Sequence, residues 1–250
     1  MVVDSIALYL DTTDRRRRCN AAYVLAAFGD ERGTQILIRE VEDTGTGDRD
    51  TREGAGIHTG PLSHEGDLRR QVVADRYFAA LLLGEFRSKA AVPALIAATR
   101  DSTINYRAAM SLGEIGDPSA LPALREMIER FPEQKTWAGY ALAALGDARG
   151  FDVLKDALSD QEWVRRREAI WALGKTLDPA AVPILLPLLR DEHANVRVAA
   201  AQELGKIGDP SALPPLRVAL ADHEVTQVNA PTTLAAEAQK AIDAIEGRAR

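Results

Sequence analysis

The sequence is poor in several residue types that carry chemistry. It has one cysteine, Cys19, in 250 residues. That excludes an internal disulfide and places the expected home of the chain in a reducing cytoplasm. It has no excess of positive charge. The formal net charge is −6, whereas a duplex-binding surface needs a basic footprint, so nucleic acid is not expected as the main partner. It has no long apolar run of the roughly 18 residues that a membrane span requires. The opening MVVDSIALYLDTTDRRRR has a short apolar part broken by Asp4 and no basic residues ahead of it, so it reads as neither a signal peptide nor a span. A nucleophile elbow, a phosphate-binding glycine loop and a paired CxxC are all missing. No catalytic residue and no cofactor is assigned, and an interaction protein is expected rather than an enzyme.

Aromatic residues make up only 5% of the chain, while 46% is hydrophobic and 27% charged. Ala and Leu dominate the apolar part. Both lose little entropy in a helix and let helices pack closely.

Internal self-similarity organises the rest. The segments RAAMSLGEIGDPSALPALREMI from Arg107, REAIWALGKTLDPAAVPILLPLL from Arg167 and AAAQELGKIGDPSALPPLRVAL from Ala199 repeat one pattern. AGYALAALGDARGFDVLKDAL from Ala138 is a fourth copy. Weaker copies begin at Cys19 and Tyr77. They align on a turn position held by Gly29, Arg87, Gly116, Gly146, Leu177 and Gly208, the last five of which recur about every 30 residues. Before the turn, Val196, Ala200, Leu204 and Ile207 mark one face of a helix. After it, the apolar triple Leu213, Leu216 and Leu220 recurs as Val182, Leu185, Leu189, as Phe151, Leu154, Leu158, and as Leu121, Leu124, Ile128. Glycine at Gly116 and Gly208 suits a left-handed helix end. Asp117 and Asp209 suit an N-cap followed by Pro118 and Pro210, and Asp178–Pro179 repeats that cap. A further proline recurs one turn into the second helix at Pro93, Pro122, Pro183 and Pro214, which predicts a shared bend.

A two-helix unit of this length cannot bury its apolar face alone, and stacked units share one core. The expectation is an all-α solenoid of about six helical hairpins spanning 1–250, capped by a helix over residues 2–10 and another over Thr232–Glu246. A Gly-rich insert at 44–66 interrupts it. Its polar composition predicts mobility and first cleavage there in limited proteolysis. A partner-binding or lid role stays open beside plain disorder. Its His58 and His64 match no standard ligand spacing, so no metal site is assigned.

The pattern typified by NVRVAAAQELGKIGDPSALPPLRVALAD resembles the short HEAT-like repeat of phycobilisome bilin lyase subunits and many bacterial proteins. The resemblance implies the solenoid fold. It leaves open a bilin-lyase-like or other enzyme subunit beside the scaffold reading, because members of this repeat class differ widely in function. Relatives such as deoxyhypusine hydroxylase ligate iron through His-Glu pairs starting seven residues before the first glycine of the repeat. The corresponding pairs here are Tyr77–Phe78, Tyr106–Arg107, Arg167–Glu168 and Val198–Ala199, with Cys19–Asn20 and Thr136–Trp137 in the divergent copies. Only Glu168 agrees, so that activity is not expected.

Two charge patterns remain. A basic residue recurs eight positions before the first glycine at Arg18, Arg76, Lys135, Arg166 and Arg197, with Asn105 as the exception, and acids close the second helices at Asp101, Asp160, Asp191 and Asp222. They predict an Arg–Asp ladder that locks repeat to repeat. Cys19, beside Arg15–Arg18, reads as a small buried side chain. The outward positions of the second helices read Arg100, Arg125, Lys155, Arg190 and Arg217, interrupted by Glu129. Second helices commonly line the concave surface of a solenoid. These residues therefore mark a candidate groove for an as yet unidentified protein or peptide partner of acidic character.

Overall fold

The computed structural model describes residues 2–12, 15–44, 65–226 and 231–248. Among these residues there are fourteen α-helices and no strand, and a single isolated bridge joins Val225 and Thr233. No helix among them is long and apolar enough to cross a membrane. The fold is the all-α solenoid of helical hairpins that the repeats predict. The chain divides into two compact units, Met1–Ala141 and Leu142–Arg250.

The first unit holds α1 (Val2–Ala7), which runs into a 3-10 turn over Leu8–Asp11, and then α2 (Arg15–Ala27) and α3 (Glu31–Glu42). α4 (Glu65–Glu85), α5 (Val92–Ala98), α6 (Asn105–Ile115) and α7 (Leu121–Arg130) follow, and the division falls inside α8 (Lys135–Ala144). The second unit continues with α9 (Arg149–Ala157), α10 (Trp163–Lys175), α11 (Val182–Leu185), α12 (Ala194–Ile207), α13 (Leu213–Ala219) and the closing α14 (Leu234–Arg248). Paired in order from α2 to α13, they make six hairpins. α4 reaches back to Glu65, so the last two residues assigned to the 44–66 insert belong to a helix. Residues 45–64, with His58 and His64, lie outside the described residues.

The turn alignment is reproduced residue for residue. Gly29, Arg87, Gly116, Gly146, Leu177 and Gly208 are the positions among the described residues with positive φ, between 49° and 80°. Glycine adopts this left-handed conformation without steric cost, whereas Arg87 and Leu177 each adopt it against the clash of a Cβ. Asp117, Asp178 and Asp209 cap as expected, each accepting the N–H two residues on. The cap opens a 3-10 turn (Pro118–Ala120, Pro179–Ala181 and Pro210–Ala212), and the α-helix proper begins one residue before Pro122, Pro183 and Pro214. The recurrent proline therefore sits where its missing N–H is not needed.

The apolar triples supply part of the core. Their central members Leu124, Leu154, Leu185 and Leu216 are fully buried, each worth about 1.5–3 kcal/mol relative to exposure. First helices approach closely through small residues. A Cβ placed on Gly205 would lie 2.8 Å from the Cβ of Ala241 and 2.9 Å from its Cα, so α12 and α14 touch there at backbone distance. α14 closes the second unit by burying Leu234, Ala238, Ala241, Ile242 and Ile245.

The fifth hairpin departs from the pattern in its second helix. The second helix of the fifth repeat is α-helical for only four residues and continues as a 3-10 turn over Leu186–Arg190. Pro187 causes this. It has no N–H for the Pro183 carbonyl, and its ring would clash with that carbonyl in a continuous helix.

Candidate interaction surface

The ladder is present, and its geometry refines the expectation. Each arginine pairs with the carboxylate that closes its own hairpin. Arg76 meets Asp101 at 2.6 Å, Arg166 meets Asp191 at 2.8 Å and Arg197 meets Asp222 at 2.8 Å. The lock between repeats comes from the same guanidinium acting on the preceding hairpin's carbonyls. Arg166 Nη1 donates to the Asp160 and Gln161 oxygens, Arg197 Nη1 to those of Asp191 and Glu192, and Arg76 Nε to that of Val41. Arg18 forms a longer rung with Glu40 at 3.5 Å. Cys19 is half-buried rather than enclosed. At the exception, Asn105, the amide is fully buried and neither of its polar atoms has a hydrogen-bond partner. Because Arg76, Arg166 and Arg197 are buried and engaged, they form a structural element and not a surface for an anionic partner.

The outward residues of the second helices are all exposed: Arg100, Arg125 and Glu129 in the first unit, and Lys155, Arg190 and Arg217 in the second. They are not equivalent in charge. Arg100 makes a two-point pair with Glu126 at 2.9 and 3.2 Å, and this contact holds the Glu126 carboxyl below its ordinary range. Arg217 pairs with Glu246 at 2.9 Å. Lys155 and Arg190 make no ion pair among the described residues, and they carry the row's uncompensated positive charge.

Arg190 also borders a concavity that the sequence did not single out. A groove of about 930 Å³ lies on the second-helix side of the last two repeats, lined by Pro183, Leu186, Pro187, Val218 and His223 as well as Arg190. Val218 is 67% exposed, high for an aliphatic side chain, and forms part of this wall. The signal was Pro187, a proline at the centre of an otherwise helical apolar pattern.

A model of HEAT repeats matches residues 69–143, 103–174 and 151–236, and a model of the PBS lyase HEAT-like repeat matches 17–43. The chain belongs to the HEAT-repeat family. No curated protein gives a significant match. Among solved structures, this HEAT-repeat chain is similar to the complex of CpcE and CpcF of phycocyanin lyase from Nostoc sp. PCC7120. The two are 21% identical, the match covers 98% of this chain and 95% of that one, and the TM-score is 0.57. It is also similar to human deoxyhypusine hydroxylase, at 18% identity, 98% and 96% coverage and a TM-score of 0.39. At 21% identity the likeness to the phycocyanin lyase complex is one of fold.

Aromatic rings meet along the first helices of the first unit. The Tyr77 ring lies 5.8 Å from that of Tyr106, which lies 6.2 Å from that of Trp137. Burial, followed by the neighbouring Tyr77, raises the Tyr106 phenol above its ordinary value. Arg107 is buried and donates to Glu114 at 2.9 Å. Burial first, and Glu114 second, push the Tyr140 phenol up to about 12. In the second unit Trp163 stacks on His193 at 4.4 Å, and Glu168 is half-buried, its carboxyl raised chiefly by desolvation.

Proposed function

We propose that this HEAT-repeat protein is a cytoplasmic interaction scaffold that presents its second-helix surfaces to a protein or peptide partner of acidic character. The observation that carries the reading is the groove beside Arg190. It is an apolar-walled site of the size that binds small ligands or several peptide residues, and its place on the second-helix side supports the reading, because repeat proteins commonly recognise partners along an extended concave surface. Arg100, Arg125, Glu129, Lys155, Arg190 and Arg217 line the second-helix surfaces as charged side chains that the core does not need. A bilin-lyase-like subunit is the alternative that the family suggests. It has the phycocyanin lyase fold behind it and no residue-level feature of its own.

The test replaces Arg125, Lys155 and Arg217 with Glu together and compares affinity capture from the native cell with wild type. Reversing exposed charge leaves the core intact, so an acidic partner should be lost from the variant and its capture from wild type should weaken with salt. Unchanged capture and salt dependence would end the reading. Co-purification of an absorbing tetrapyrrole would favour the alternative.

A further inference from the structure

We infer that the groove between the second helices of the last two repeats takes an extended peptide strand that alternates apolar and acidic side chains. This rests on the reading of the second-helix side as the interaction face and says what that face recognises. Three features select the occupant.

The first is a backbone acceptor. In a regular helix the Pro183 carbonyl would accept from the N–H of residue 187, but that residue is proline. The N–H of Leu186, the other nearby donor, is spent on the Val182 carbonyl. Pro183 lines the groove, and its carbonyl receives no donor from residues 186 and 187 of its own helix; such a group gains by meeting a donor from outside. An extended peptide has backbone N–H groups to give, whereas a docking helix has already used its own.

The second is the apolar wall. Leu186, Pro187 and Val218 face the groove with no polar side chain among them. This suits every second residue of an extended strand, since alternate side chains point to one side.

The third is charge. Arg190 stands exposed at the border of the groove without an ion pair among the described residues, while the nearby carboxylate of Asp222 is already held by Arg197 at 2.8 Å. The uncompensated charge at the rim is therefore positive, and the complementary residue is Asp or Glu next to the apolar one.

The experiment measures fluorescence anisotropy of a short, end-blocked peptide of alternating Leu and Asp on the full chain, beside its counterpart with Lys in place of Asp. Saturable binding of the Asp peptide is expected, at least about tenfold tighter than that of the Lys peptide. Arg190→Glu should weaken it by a similar factor. Pro187→Ala is the decisive variant. It supplies the missing N–H, completes the helix and occupies the Pro183 carbonyl, so peptide binding should fall while resistance to denaturant rises. Damage to the fold cannot produce that combination. The inference is overturned if the Asp peptide does not bind, if the Lys peptide binds as well, or if both variants bind like wild type. Should the peptide fail while charge reversal on the second helices still abolishes partner capture, the scaffold reading stands and only the peptide assignment falls.

Discussion

Arg166 and Asp191, 25 residues apart in the chain, close a two-point salt bridge in which Nε donates to Oδ2 at 2.9 Å and Nη2 to Oδ1 at 2.8 Å. The same guanidinium gives Nη1 to two carbonyls at the end of the previous hairpin, and the same carboxylate accepts the N–H of His193 at the start of the next helix. One part-buried pair therefore ties three successive segments. A lysine there would keep the charge and lose the planar fork. Arg166→Lys is expected to lower stability by about 1–2 kcal/mol, as read from urea denaturation. A loss within error would mean that the rung is only a surface ion pair.

Leu177 occupies the left-handed turn position where four of the six repeats have glycine, and its side chain is 60% exposed. Little packing is lost on its removal. Leu177→Gly should stabilise by about 1 kcal/mol by relieving the Cβ clash, which for a chain of this size raises Tm by about 2–4 °C. Arg87→Gly should act in the same direction. Thermal denaturation of the two variants checks both, and a fall in Tm for either would contradict the assignment of strain.

The fold was legible because its determinants are local and repeated. The turn at Gly116, the cap at Asp117 and the buried Leu124 sit at fixed offsets, so each repeat confirms the others. The Arg–Asp rungs were legible as a pattern, but the partner of each arginine was not. Sequence spacing places Asp160 and Asp191 on either side of Arg166, and only the packed hairpin shows that the carboxylate of one and the carbonyl of the other meet it. The charged second-helix row was legible residue by residue. Its electrostatics were not, because Glu126 and Glu246 reach Arg100 and Arg217 from neighbouring elements. The groove escaped the sequence reading because it is lined jointly by the helix that Pro187 interrupts and by residues of the next hairpin.

Gly205 marks where α12 and α14 touch, and a methyl group there would overlap the Cα and Cβ of Ala241. Backbone cannot move aside as a flexible side chain can. Gly205→Ala should destabilise the second unit by about 1–3 kcal/mol through overpacking, despite the better helix propensity of alanine. Hydrogen exchange should show α14 losing protection first, because α14 packs chiefly on α12 and α13 in closing the unit. A neutral or stabilising effect would place the two helices farther apart than described.

Asp101 gives the acid limb of stability a residue-level test. Burial alone would raise its carboxyl. The N–H and hydroxyl of Thr103 and the guanidinium of Arg76 together outweigh burial and hold it below its ordinary value. A group whose folded-state pKa is lowered adds stability that is present above its unfolded value of about 4 and disappears as pH falls through the folded one. Asp101→Asn should therefore be less stable than wild type at pH 7, by about 1 kcal/mol, and the gap should close below pH ~4 as wild-type Asp101 takes up its proton. Other titrating groups, such as Glu237, which is lowered, and Glu203, which burial raises, contribute equally to both proteins and cancel in the difference. Paired urea titrations from pH 3 to 7 are the measurement. A gap independent of pH would mean that the Asp101 charge adds nothing beyond what the asparagine amide supplies.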